Sequence, residues 1–309
     1  MSKQSAFLRR PDYHGQHNIA QYRQFAQQQR SAGYYNVATL WLYRQCWRKS
    51  GKLEDYLHYL AFRRDLGYIL TRLQKKRINN WFNSSIKFGL WIVLNRHANR
   101  LRLRLLNSTI AKQENLIQQF HTWLKRHTYI QLVGNSANLQ HQIQGMAIDQ
   151  APLVVRFNRC FSEHTLNADT GVKTSIWVCA PDFKHHATLA EWCILTGPDM
   201  GNWIQNLPDC IKNHQQVLSV PLAVWKELVR MLAAPPSAGI LVTYWLYTLH
   251  PECQRFLTGF GFQSSSQQYH IADPHHNAVS RHNWQQEKAL FLQWQHLNII
   301  TAGTKENAN

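Results

Sequence analysis

The chain has 309 residues, 44% of them apolar, enough to bury at least one sizeable core, and one catalytic unit with a helical extension is the natural expectation. Its formal charge of +17 is lopsided: residues 1–126 hold 23 Lys and Arg against 5 Asp and Glu, whereas residues 127–309 hold 11 against 12. The apolar stretch from Phe88 to Leu94 is far too short to cross a bilayer, and Met1 to Arg10 lacks the apolar core and cleavage site of a secretory signal, so a cytoplasmic chain without a spanning anchor is expected.

Taken in chain order, the first part reads as helices. Leu53, Leu57 and Leu60, then Leu66, Ile69, Leu70 and Leu73, recur at helical spacing with basic residues between them, and Gly51 and the Asn83, Ser84, Ser85 cluster read as breaks. Arg96, Arg100, Arg102 and Arg104, interleaved with Leu101, Leu103, Leu105 and Leu106, form a basic, apolar-rich segment. It suits either an anionic membrane surface, at the inner face of a bacterial membrane, or the solvated face of a packed helix.

From about Leu116 the pattern changes. Short β-rich runs are predicted at Tyr129 to Val133, Ser175 to Cys179, Ile194 to Thr196, Gln216 to Val220 and Phe256 to Phe260, with helices at Leu222 to Leu232, Ala238 to Leu249 and Asn283 to Leu297. This alternation predicts an α/β fold, a largely parallel sheet covered by helices with an N-terminal α-helical extension, divided as residues 1–115 and 116–309. Cys46, Cys160, Cys179, Cys193, Cys210 and Cys253 are scattered without a CxxC pair and read as small buried hydrophobes.

Four segments carry chemistry. The first predicted strand empties into Gly134, Asn135, Ser136, Ala137 and Asn138, at the strand end where open α/β sheets bind ligands. Alone, it reads more readily as a plain turn. Val154 to Phe157 leads to Asn158, followed by Asp169, Gly171, Lys173 and Thr174. Pro236, Ser237, Ala238 and Gly239 precede a long apolar helix, which makes Ser237 an N-cap beside N–H groups suited to an anion, or a helix cap and nothing more. Last come Tyr269 with His270, and His282 with Glu287 opening the final helix.

In this order and spacing the segments resemble the four sialylmotifs of the eukaryotic-type sialyltransferase family, over roughly residues 128–298. The large motif runs from Val133 through Asn158 to Gly171, the small motif from Pro236 to Phe260, the third is Tyr269 and His270, and the very small motif is His282 to Glu287. The chain departs from the family's secretory members in having no cysteine leading into Val133 for their inter-motif disulfide, in keeping with a reducing cytosol, and its third motif is short.

The resemblance implies a Rossmann-like fold and an inverting transfer of a sialic acid or Kdo-type ulosonic acid from its CMP-activated form to a glycan. It implies His282 as the general base and His270 with Tyr269 as donors to the departing phosphate. Asn135, Ser136 and Asn158, with Gly134 beside them, would hold the nucleotide. Ser237, Ala238 and Gly239 would receive the donor's carboxylate or cytidine at the helix start. Glu287 would orient the imidazole, or serves only as a helix-initiating carboxylate. No Asp-x-Asp pair occurs in the chain, so no metal or other cofactor is expected, the CMP-sugar being a co-substrate. The expected partners are that donor, a glycan or lipid-linked glycan acceptor such as lipopolysaccharide, and an anionic membrane surface.

Two rival readings remain. The basic helices carry Trp41, Trp47, Tyr56, Tyr59, Trp81 and Trp91, which would suit nucleic acid, although their helical spacing favours core packing. A non-catalytic scaffold of the same fold is the other, and the presence of both His270 and His282 argues against it.

Overall fold

The structure, a computed structural model, describes residues 18–32, 34–68, 71–74, 76–77, 80, 106–160, 167–179, 190–196, 216–261, 271 and 282–305. The basic segment expected from Arg96 lies outside these residues up to position 105, as do Trp81 and Trp91.

Three helices open the chain: α1 (Ile19–Ser31), α2 (Val37–Ser50) and α3 (Leu53–Asp65). Asn18 and Asn36 cap the first two, each side chain accepting the N–H of the residue three positions on, Gln21 and Thr39, which satisfies donors that have no partner within the helix. The aromatics of these helices pack inward: Trp47 stacks on Tyr59 at 5.6 Å, and the Phe62 ring lies 5.2 Å from Tyr35 and 5.0 Å from Tyr43. Core packing is therefore what their helical spacing encoded.

The remainder alternates strands and helices: α4 (Leu106–Leu124), β1 (Tyr129–Val133), α5 (Gly145–Gln150), β2 (Leu153–Phe157), α6 (Asn167–Thr170), β3 (Ile176–Cys179), β4 (Trp192–Leu195), β5 (Val217–Ser219), α7 (Leu222–Leu232), α8 (Ala238–Leu249), β6 (Gln254–Thr258), α9 (Trp284–His296) and β7 (Thr301–Ala302). The strands form one seven-stranded sheet in the order β5-β4-β3-β2-β1-β6-β7, with each recorded pairing parallel. The α/β sheet expected from the sequence is thus observed. Strands β2 and β7 were not among those predicted, β4 begins two residues before the predicted start, and β6 sits two residues before the predicted run.

Both sheet faces are buried, which explains the continuous apolar runs. Ile130, Leu132, Leu153, Val155, Ile176, Val178, Trp192 and Ile194 enter the main core, while Val133, Val154, Trp177, Cys179, Cys193 and Leu195 face the opposite side in two smaller clusters, with the two-residue period of a strand. Residues of α1 to α3 belong to that same main core, and Trp225 of α7 donates its indole N–H to the Asp65 carbonyl at 2.8 Å. The division expected at residues 115 and 116 falls inside α4.

The chain order reverses between β1 and β6: successive strands β2 to β5 extend to one side of β1, and β6 and β7 to the other. From β1 the chain passes on to β2 at one side and from β6 to β7 at the other, which makes the β1–β6 boundary the place where open α/β sheets bind ligands.

Candidate active site

The β1 and β6 loops meet backbone to backbone. Gly134 N–H donates to the Thr258 carbonyl at 2.8 Å and Ser136 N–H to that of Gly259 at 3.0 Å. A Cβ on Gly134 would lie 2.2 Å from the Gly259 oxygen, so only glycine fits. The Asn135 amide donates to the Phe157 carbonyl at 2.7 Å, tying the β1 loop to the end of β2. Asn158, the next residue, takes a left-handed backbone (φ 48°) that asparagine tolerates, and its carbonyl accepts the Trp177 indole N–H at 2.9 Å.

Phe260 gathers these segments. Its ring packs 5.8 Å from Phe157 and 6.2 Å from Phe291 on α9, and a Cβ at Gly239 would lie 2.7 Å from it. The loop of Asn135 and Ser136, the start of the Asn158 turn, the start of α8 and the side of α9 thus surround one aromatic ring. Ile271 N–H donates to the Asn135 carbonyl at 2.8 Å, which brings the chain just after Tyr269 and His270 to the same place. Tyr269 and His270 themselves lie outside the described residues.

The second half of the site is a latch between the α7–α8 turn and the start of α9. Ser237 caps α8, and both of its donors go to Glu287: N–H to Oε1 at 2.7 Å and Oγ–H to Oε2 at 2.6 Å. Asn283 donates to the Leu232 carbonyl at 3.0 Å, and its side chain caps α9 by accepting from Gln286 N–H at 3.4 Å. His282 Nδ1 lies 2.9 Å from the Pro235 carbonyl. A carbonyl only accepts, so Nδ1 carries the proton, and the lone pair of the neutral ring resides on Nε2. Three successive anchors, His282, Asn283 and Glu287, therefore fix one short turn.

Glu287 is 0% exposed, and burial pushes its carboxyl up to about 7 against the opposing effect of the Ser237 N–H and O–H. The partner found for this carboxylate is the cap of α8, so the cap of one helix is braced by the first turn of another.

Asp169 and Asp149 are supports that the residue pattern did not reveal in detail. Asp169 accepts the N–H groups of His141 and Ile143, both at 2.9 Å, and these two residues have positive φ, 65° and 51°. A β-branched residue is strained there, and the carboxylate holds it. Burial raises the Asp169 carboxyl, but the N–H groups of Ile143 and His141 outweigh it and hold the group below the usual range. Asp149 accepts from Val172 and Lys173 N–H in the same manner. Among the described residues no group of three or more His, Cys, Asp or Glu is arranged to hold a metal.

The parallel α/β sheet, the glycine-containing loops at its reversal point and the anchored His282 form the candidate active site. Residues 69–192 match the model of glycosyltransferase family 29 (sialyltransferase), a span that starts ahead of α4 and takes in the large motif. A mammalian sialyltransferase solved in complex with Gal-beta-1-3GalNAc-ortho-nitrophenol shares the fold, with a TM-score of 0.52 and 19% identity over 77% of this chain and 88% of that one. A second mammalian sialyltransferase structure aligns with a TM-score of 0.47 and 21% identity over 58% and 69% of the two chains. Comparison with curated proteins gives no match. The segment at residues 69–192 is thus similar to the sialyltransferase family, and the chain shares the fold of a mammalian sialyltransferase.

Proposed function

We propose that the enzyme transfers a sialic acid or Kdo-type ulosonic acid from its CMP-linked donor to a hydroxyl of a cell-surface glycan, polysaccharide or lipopolysaccharide, with inversion and without a metal. The observation that supports this best is the His282 tautomer: with Nδ1 fixed on the Pro235 carbonyl, Nε2 is the basic nitrogen. In the reaction Nε2 takes the acceptor hydroxyl proton as the acceptor oxygen bonds to the anomeric carbon. The bond from that carbon to the phosphate oxygen breaks, and its electron pair leaves with CMP.

Asn135, Ser136 and Asn158 receive the nucleotide at the reversal point, and the N–H groups of Ala238 and Gly239 receive the donor's carboxylate at a helix N-terminus. Tyr269 and His270 supply hydrogen bonds to the phosphate as its charge grows. Glu287 positions the α8 start through Ser237 and so acts on the donor site indirectly. In this reading residues 116–309 carry the chemistry and residues 1–115 dock the enzyme in the cytoplasm at the inner membrane face.

A panel of CMP-sugars tests the reading. CMP-sialic acid or CMP-Kdo should raise the melting temperature in proportion to affinity and release CMP in the presence of acceptor. Stabilisation by UDP- or GDP-sugars with no response to either CMP-sugar would contradict it.

A further inference from the structure

A group of exposed cations lies at the corner where α2 turns into α3. Lys49, on the last turn of α2, has its Nζ 5.5 Å above the Tyr22 ring of α1. Arg23, next along α1, pairs with Asp55 of α3 at 2.6 Å. Tyr56, next along α3, carries the Arg77 guanidinium 5.6 Å above its ring. These contacts run through neighbouring residues and bring Lys49, Arg23 and Arg77 to one corner. Arg48 and Lys52 flank the turn at Gly51 and complete it.

Arg48, Lys49, Lys52, Arg72, Lys76 and Arg77 are all exposed, and residues 72–74 and 76–77 are helical. Leu73, among these cations, is 79% exposed. Between positions 18 and 80 the sequence has only three acids, Glu54, Asp55 and Asp65. Asp55 and Asp65 are buried and engaged by Arg23 and Arg30, while Glu54 stands 3.9 Å from His58. The corner therefore faces solvent with a large cationic excess.

We infer that this corner rests on an anionic lipid bilayer, its cations among the phosphate headgroups and Leu73 entering the headgroup boundary. Charge complementarity carries the assignment, because a cluster of exposed Lys and Arg is what an anionic leaflet attracts. The exposed leucine fits an interface with an apolar side. Bases would need exposed rings, and here Tyr56 and Tyr59 are buried, with Trp47 stacked against Tyr59. The inference deepens the reading of a lipid-linked acceptor by naming the face that meets the membrane, and it rests on that reading for its purpose.

The full chain is sedimented with vesicles of phosphatidylcholine alone and of phosphatidylcholine with about one-third phosphatidylglycerol. Partition should favour the anionic vesicles by roughly tenfold or more at 0.1 M salt and lose most of that preference at about 0.5 M, as the screening length shortens. Replacing Arg48, Lys52, Arg72 and Lys76 together by Gln should lower anionic partition by about tenfold, and Leu73→Ser by less. Release of CMP from CMP-sialic acid in solution should be unchanged in both variants. Lys49 and Arg77 are left in place because they cover core tyrosines.

Equal partition onto neutral and anionic vesicles overturns the inference, as does full retention by the fourfold variant. Nucleic acid that displaces the vesicles and loses its own binding in that variant would reassign the corner. Loss of CMP release in the parent chain with vesicle partition intact would instead count against the transfer reading alone.

Discussion

The two halves of the molecule treat their arginines in opposite ways. In the helical bundle, Arg23 and Arg30 are held by the carboxylates of Asp55 and Asp65. In the sheet half, Arg156 and Arg255 are buried and held mainly by main-chain carbonyls, Lys173 and Thr170 for the first, and Ile299, His250 and Pro251 for the second. Burial lowers both of these guanidinium pKa values from the ordinary range, whereas for Arg30 burial is outweighed by Asp65 together with Tyr35 and Tyr43, and the value is raised. The bundle uses its few acids internally and presents cations to solvent. The sheet half satisfies its buried cations chiefly with main-chain carbonyls, Asp149 standing 3.8 Å from Arg156 as a secondary partner.

The largest stability effect should come from the carbonyl-bound class. Arg255→Met would take the donor from the Ile299, His250 and Pro251 carbonyls and leave a buried guanidinium site refilled by an apolar chain, an expected loss of roughly 3 kcal/mol or more in urea unfolding. A loss no larger than that of an exposed pair would erase the contrast drawn above.

Next comes Glu287, which links the halves of the site. Its carboxyl titrates near 7 when folded against an ordinary 4.5, so the folded chain holds the extra proton between those values. Stability from this group is therefore greatest at or below pH 4.5, falls as pH rises to 7, and then levels, by up to on the order of 3 kcal/mol. Glu287→Gln keeps an acceptor for Ser237 N–H and removes the titration. Melting temperatures of the two chains across pH 5 to 8 should converge in slope above 7 and diverge below it, and parallel curves throughout would contradict the assignment.

Smallest are the ion pairs of the bundle, which should separate by burial. Asp65→Asn leaves Arg30, with a side chain 23% exposed, lacking its charge partner and should cost about 1–3 kcal/mol. Arg23→Ala removes a pair whose arginine is 44% exposed and should cost less than about 1 kcal/mol. Chemical denaturation of both variants, read at equal slope, checks the order.

The same arginines explain what the sequence withheld. Helices α7 and α8 fall at Leu222–Leu232 and Ala238–Leu249 as their apolar runs predict, with Ser237 marking the start of the second. Strand β2 holds Arg156 within its apolar run and β6 opens on Gln254 and Arg255, so neither follows a plain apolar strand pattern. Both arginines are strand residues whose partners lie 14 to 44 positions away or across a turn, a relation no local window carries.

In the site, the order of the motifs was legible and brought Asn135, Asn158 and Ser237 into consideration. Their convergence on Phe260 and the pairing of Ser237 with Glu287 across 50 residues were not, since each depends on how distant helices pack. The positive φ of Ile143 gave no sequence signal either, for nothing in an isoleucine announces the Asp169 carboxylate that holds it.

The account depends on His282 Nε2 as the group that removes the acceptor proton. The most direct measurement is turnover of His282→Ala beside its affinity for CMP. Turnover should fall by roughly 10²–10⁴-fold with CMP binding largely kept. Turnover equal to that of the parent chain would remove this imidazole from the chemistry and, with it, the mechanism.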